Sequence, residues 1–218
     1  MAILSFPPVD EADESGLLAV GGDLEVESLI LAYSSGIYPW PIIGWDELPW
    51  FSPPERAVLF LAEFNPGTRL PRRRRNCGFE FRMNTNFAAV IRACAGSVTR
   101  GAGRGTWITG DIVSAYEDLH RAGHCHSVEC YSGSDLVGGL YGVSIGKMFA
   151  GESMFYLKPD ASKLSLWFLI DFLKSQGVTW IDCQQLTPVL QQLGARLIPR
   201  LQFLEMVSEA ISRPALHF

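Results

Sequence analysis

Residues 125–156 read CHSVECYSGSDLVGGLYGVSIGKMFAGESMFY, and the pattern of this stretch decides the fold. Three strand-like runs, roughly 125–131, 136–145 and 148–155, are separated by Ser132-Gly133-Ser134-Asp135 and by Gly146-Lys147. Both linkers are short, polar and glycine-bearing, which is hairpin-turn chemistry, so the runs form an antiparallel meander. Upstream, Phe87, Val90, Ile91 and Cys94 fall at helical spacing. Ile112, Ala115, Tyr116 and Leu119 do the same after Asp111, a cap candidate, with Gly123 at the stop. Downstream, Asp160 can cap a long amphipathic helix ending near Gly177, and a strand follows over 178–183. Thr187-Pro188 opens a short helix by the cap-then-proline rule and Gly194 ends it. A strand over 195–199 and a helix from about Leu201 close the chain. Meander, helix, strand, helix, strand is an α+β order.

The first sixty residues differ. They carry Pro39, Trp40, Pro41, Trp45, Pro49, Trp50, Pro53 and Pro54, with one amphipathic helix over 26–34, where Asp23 is a cap candidate and Leu29, Ile30 and Tyr33 share a face. This predicts a small irregular N-terminal lobe over 1–62, ending in a strand, and a second domain over 63–218. Hydrophobic content of 48% and charged content of 19% fit a packed chain and exclude a disordered one. No apolar run approaches the roughly 18 residues of a membrane span. The best, Leu164 to Leu173, is broken by Asp171. The start, MAILSFPPVDEADESG, lacks the basic region of a secretory signal, and the five cysteines read as reduced thiols, so a cytoplasmic protein is expected. A net charge of −5 argues against indiscriminate coating of nucleic acid but leaves room for a local basic patch. The strongest charge run, Arg69 with Arg72, Arg73, Arg74 and Arg75, reads either as a solvated loop or as a phosphate-contacting edge.

Four groups bear on chemistry. His120, His124, His126, Cys125 and Cys130 match no common metal spacing and read as structural, with no metal expected. Cys183 has residue types around it that would suit a nucleophile. Strand alternation turns it away from Asp182 and Gln184, so it reads as core. The stretch from Arg100 through Arg104 to Trp107 is neither a dinucleotide fingerprint nor a Walker loop. Its glycines, arginines and tryptophan suit either a surface loop or a phosphate and a stacked base. Finally, Glu152 and Asp182 each interrupt an apolar strand near its C-terminal end. Acids there are costly unless paired or used, which favours a site over two solvent-facing edge acids.

GLLAVGGDL (16–24), GIYPW (36–40), WFSPPERAVL (50–59), GTWIT (105–109), LVGGLYGVSIGKMFAGESMF (136–155), IDCQ (181–184) and LGARLIPR (193–200) together resemble the leucyl/phenylalanyl-tRNA–protein transferases over nearly the whole chain. The resemblance implies an acetyltransferase-like (GNAT) C-terminal domain, consistent with the element order. It implies transfer of Leu, Phe or Met from aminoacyl-tRNA to the α-amine of proteins beginning with Arg or Lys. The product would be an N-terminal degradation signal, made by a monomer without cofactor. Gln184 then matches a glutamine that accepts a hydrogen bond from the attacking amine, and Asp182 an aspartate that enriches the glutamine oxygen. Glu152 matches a third polar residue that holds the amine or the acceptor's basic side chain. Leu140, Phe149, Met154, Leu166, Leu169 and Ile181 are expected to line the donor side-chain pocket. Trp107 and Tyr116 are expected at the terminal adenosine of the tRNA. Arg69, Arg72, Arg73, Arg74, Arg75, Arg100 and Arg104 are expected at its phosphates. The pyrophosphate-binding loop of true acetyltransferases is missing before residue 161, which disfavours an acyl-CoA-dependent N-acyltransferase. Glu152, Asp182 and Gln184 disfavour a non-catalytic tRNA-binding module. One departure stands out: Val189 occupies a position that is usually histidine in the family.

Overall fold

The computed structural model describes residues 2–96 and 107–218. The first part of the chain gives β1 (Leu17–Val20), α1 (Val26–Ser34), β2 (Tyr38–Pro39) and β3 (Pro49–Phe51). Then follow β4 (Glu55–Phe60), α2 (Arg69–Asn76), β5 (Glu80–Met83), α3 (Phe87–Ala95) and α4 (Gly110–Arg121). The meander is β6 (Cys125–Ser132), β7 (Asp135–Ile145) and β8 (Met148–Tyr156). It is followed by α5 (Ala161–Ser175), β9 (Trp180–Gln184), α6 (Pro188–Gln192), β10 (Arg196–Pro199) and α7 (Arg200–Ile211). Strands β1, β3 and β2, in that order, make a three-stranded antiparallel sheet. The other seven form a mixed sheet ordered β10-β4-β9-β8-β7-β6-β5, in which β8 and β9 run parallel.

Alternation along the strands feeds two cores, one on each face of the large sheet. Val58, Tyr141, Val143 and Ala150 pack under α1, α3, α4 and α7, against residues such as Tyr33, Ile91, Tyr116 and Phe203. Their sequence neighbours Leu59, Leu140 and Phe149 point the other way, with Ile181, to Leu166, Leu169 and Ile170 of α5. Gly146 turns the β7–β8 hairpin at φ +55°. A Cβ there would lie 2.6 Å from the Ala210 carbonyl oxygen, so the tight turn also seats α7.

Strand β4 lies on the N-terminal side of a division at residue 62, yet it is hydrogen-bonded between β10 and β9 in the large sheet. Trp50 and Ile37 of the first lobe share a core with α4 and α7. The arginine run is the helix α2 and not a loop. Pro71 falls in its first turn, where no backbone N–H is missed. Leu70 is buried, and Arg74 reaches Asp171 at 2.7 Å while lying over Trp167. The caps also shift. Thr109 accepts from the Ile112 N–H at 3.3 Å, leaving Asp111 in the first turn of α4, where its charge suits the helix dipole. Asp23 accepts from the Glu25 N–H and the Ser28 hydroxyl and so ties down the start of α1 from two residues upstream of Glu25, its N-cap. Asp160 does stand at the N-cap of α5, at φ +67°, where its side chain makes no cap hydrogen bond and pairs with Lys163 at 3.9 Å.

Candidate active site

Two irregularities of the ladder place the polar groups. Between β7 and β8, Tyr141 faces Ser153 and Gly142 faces Gly151, so Glu152 is an extra residue without a partner. Between β4 and β9, Val58 faces Asp182 and Ala57 faces Gln184, so Cys183 is skipped in the same way. Such bulges bend a strand and re-aim its side chains. Gly142 has to be glycine here, because a Cβ would lie 2.5 Å from the Phe149 ring. Strands β8 and β9 register at Ala150 and Asp182. Beyond that point their residues line one side of a cavity of about 1170 Å³.

Gln184 ends β9 at φ +58°, a left-handed conformation that costs a side-chain-bearing residue roughly 1–3 kcal/mol unless the surroundings enforce it. They do so from both ends. Its backbone N–H donates to Asp182 Oδ1 at 2.8 Å, and its Nε2 donates to Glu152 Oε1 at 2.6 Å. The side-chain bond commits Nε2 and leaves the amide oxygen free to accept, since no described residue donates to it.

Glu152 is 8% exposed. Besides Gln184 it accepts from the Tyr33 hydroxyl at 2.8 Å and, more weakly, from the Tyr116 hydroxyl at 3.4 Å. The two tyrosine hydroxyls also bond each other at 2.5 Å. Burial pushes the Glu152 carboxyl up to about 8, against the opposing pull of Tyr33, and the nearby Asp182 charge adds to the rise. Burial likewise raises both tyrosines well above their ordinary value, so they stay protonated donors.

Asp182 is held differently. The Arg56 Nε and Nη2 donate to its two oxygens at 2.8 and 2.7 Å, a bidentate pair that is almost wholly buried. The guanidinium lies between the Tyr38 and Phe203 rings, 4.4 and 4.6 Å from their centroids. Burial works against its charge, yet the Asp182 carboxylate holds its pKa above the ordinary value. Asp182 therefore grips the backbone of Gln184 from behind the cavity wall and does not touch the glutamine's carbonyl oxygen.

All six residues expected around a donor pocket, Leu140, Phe149, Met154, Leu166, Leu169 and Ile181, line the cavity. Of these, Leu166 and Leu169 come from one face of α5. Trp107 joins the wall, with one ring face stacked on Trp40 at 4.9 Å between centroids. Two expectations need correction. Tyr116 is fully buried beneath Glu152, where no nucleobase could stack on it, because α4 turns it into the core with Ile112 and Leu119. Cys183 does line the cavity, since the bulge interrupts the alternation that would have hidden it. Burial pushes its thiol up to about 12, which is no setting for a nucleophile. Arg100 and Arg104 lie outside the described residues. Of the α2 arginines, Arg69, Arg72 and Arg75 are exposed and make no ion pair with a described residue, while Arg74 is spent on Asp171. His120 stacks on Phe87 and His126 on Phe218, and among the described residues no three metal-type ligands gather.

Sequence reasoning missed Arg56 and Tyr33. Arg56 carried a usable signal, a charge beside the apolar run of 57–60, of the same kind that marked Glu152 and Asp182.

A mixed sheet whose parallel pair opens onto an apolar cavity, with a pinned amide and a buried carboxyl group in its wall, is an α+β arrangement suited to passing an acyl group to a nucleophile. Family profiles described as leucyl/phenylalanyl-tRNA protein transferase match residues 58–208, and the N-terminal domain of the same family matches 22–54. The leucyl/phenylalanyl-tRNA–protein transferase of Bordetella petrii is 47% identical over 221 residues, covering 96% of this chain and 86% of that one. The protein of the same name from Syntrophotalea carbinolica is 46% identical over 212 residues, covering 97% and 91%. Among solved structures, L-PGS from Bacillus licheniformis is similar at 16% identity and a TM-score of 0.41, covering 79% of this chain and 54% of that one. The chain belongs to the leucyl/phenylalanyl-tRNA–protein transferase family and is an aminoacyltransferase.

Proposed function

We propose that this protein, on an acetyltransferase-like frame, moves Leu, Phe or Met from aminoacyl-tRNA to the N-terminal α-amine of proteins that begin with Arg or Lys. The product carries a degradation signal, and the protein works as a cytoplasmic monomer without a cofactor. The observation that carries this reading is Gln184, held at its backbone by Asp182 and at its side chain by Glu152, in the wall of an apolar cavity.

Aminoacyl-tRNA is an activated ester, so aminolysis needs a neutral amine in the right place more than it needs a strong base. A free α-amine titrates at about 7.7–8.0. The free oxygen of Gln184 accepts one N–H of that amine and aims its lone pair at the ester carbonyl carbon. The new C–N bond forms as the carbon–oxygen bond to the ribose breaks, and the amine's surplus proton ends on the departing ribose oxygen, directly or through water. An acceptor arriving as ammonium loses its extra proton to water.

The donor side chain enters the cavity between Leu140, Phe149, Met154, Leu166, Leu169 and Ile181. A β-branched donor would press a methyl into the wall, at a penalty of about 1–3 kcal/mol. The Trp40–Trp107 pair offers its outer face to the terminal adenosine, and α2 offers Arg69, Arg72 and Arg75 to the phosphates.

The test is transfer of labelled leucine from Leu-tRNA to a short peptide beginning with Arg, beside the same peptide beginning with Ala, and with Val-tRNA as an alternative donor. Product with Leu-tRNA and the Arg peptide alone supports the reading. Equal transfer to both peptides refutes the acceptor rule, and no transfer at all refutes the reaction.

A further inference from the structure

A second, smaller cleft of about 560 Å³ meets the large cavity at Trp40, Ile42, Gln184 and Gln185. It is within the size range of ligand-binding clefts. Gln184 is 4% exposed and lines it, with its amide oxygen accepting from no described residue. The side walls are apolar, from Tyr38, Phe51, Pro53 and Leu197, and the charged groups in the lining are Glu14 and Glu55. Both carboxylates are exposed, and neither makes an ion pair with a described residue. Glu14 has a fixed seat. Asp13 collects the N–H groups of Ser15 and Leu17, and Gly16, at φ +87°, packs so close to Pro53 that a Cβ would lie 2.4 Å from its Cα.

We propose that this cleft receives the basic side chain of the acceptor's first residue, with its stem along the apolar walls and its charge at Glu14 and Glu55. The inference rests on the transfer reaction proposed above and names where its acceptor specificity resides. An amine bonded to the Gln184 oxygen stands at the junction of the two spaces, with the donor ester on one side and the cleft on the other. Long basic side chains bury their methylenes and keep the head group at a wet rim, and this lining offers both environments. The carboxylates of the catalytic centre are already occupied. Asp182 is neutralised by the bidentate Arg56, and Glu152 already accepts from the Tyr33 hydroxyl and the Gln184 amide. A cation therefore finds, at the cleft and not beneath Gln184, negative charge that no described residue pairs.

The experiment measures KM for the Arg and Lys peptides with the unmodified protein, with Glu14→Gln/Glu55→Gln and with Glu55→Lys, alongside filter binding of Leu-tRNA. The expected result is a KM raised at least tenfold by the double variant and further by Glu55→Lys, with Leu-tRNA affinity within twofold. A KM within twofold of the unmodified value overturns the cleft assignment while leaving the transfer reaction in place. A matching loss of Leu-tRNA affinity also overturns it, because the charges would then serve the donor or the fold. No transfer to the Arg peptide by the unmodified protein refutes the reaction itself, and this inference with it.

Discussion

Gln184 contributes one oxygen, and two acids serve to hold that oxygen in place. Gln184→Ala is expected to lower kcat for leucyl transfer by about 100-fold, the scale on which loss of a positioned group is felt. Filter binding of Leu-tRNA should be unchanged, and a variant that turns over normally would exclude the amide from the mechanism. Glu152 supports a prediction with a definite sign. Its carboxyl is raised from 4.5 to about 8 by burial. Between those values the folded protein holds a proton that the unfolded chain has released. Stability from this group is therefore fully present below pH 4.5 and declines as pH rises to about 8, by at most about 1.4 kcal/mol per unit. Urea melts from about pH 5 to 8 should show that decline, and Glu152→Gln should flatten it. An identical slope in both proteins would mean the carboxylate is ionised throughout. Glu152 and Asp182 were legible as acids in apolar strands. That same signal also describes Glu129, which is fully buried and bonds Ser127, Thr85 and Asn86 around the start of α3. A buried acid is thus readable from the chain, whereas its assignment to chemistry or to architecture needs the neighbours.

At the level of elements, Arg56 on β4 and Asp182 on β9 pin the end of the strand that carries Gln184. Removing one partner of a buried pair leaves an uncompensated charge, so Arg56→Met should cost about 3–5 kcal/mol in denaturant unfolding. Adding Asp182→Leu to make an apolar pair should recover most of that stability. Transfer should nevertheless stay impaired, because the Gln184 N–H has lost its acceptor. Recovery of both stability and activity would show that the pair is only structural. For α2, Arg69→Ala/Arg72→Ala/Arg75→Ala should weaken Leu-tRNA binding and flatten its dependence on salt. In a plot of log affinity against log salt, the slope should fall by up to about 0.9 for each phosphate no longer neutralised. An unchanged slope would leave these arginines to solvent. The helices and strands of the second half were readable from periodicity and turn chemistry, with the meander placed to within a residue or two. The bulges were not. Register between strands is set by pairings remote in sequence, and nothing in GESMF or IDCQ announces that a residue will go unpaired.

Over the whole molecule, two spaces meet around Gln184, and the first lobe supplies a wall to each: Trp40 borders both, Ile43 the larger and Phe51 the smaller. The donor space should be separable from the acceptor space by mutation. Leu169→Trp, which fills the large cavity, should suppress transfer from Phe-tRNA more than from Leu-tRNA and leave the KM for the Arg peptide within twofold. Equal loss with both donors would place the side chain elsewhere. All six residues named for the donor pocket line the cavity, although strict alternation would send Phe149 and Met154, five apart on β8, to opposite faces; the bulge at Glu152 brings them to the same side. Tyr116 and Arg56 were misjudged or missed because they act from the opposite face, through the sheet, and no local pattern links the two faces. The two unpaired residues of the ladder also bear on engineering. A redesign that rewarded regularity would delete Glu152 and Cys183 as defects, and the strands would then pair without interruption at both places. The result would be a tidier scaffold without the contact between Gln184 and Glu152, because in this protein that contact is made of the sheet's errors of count.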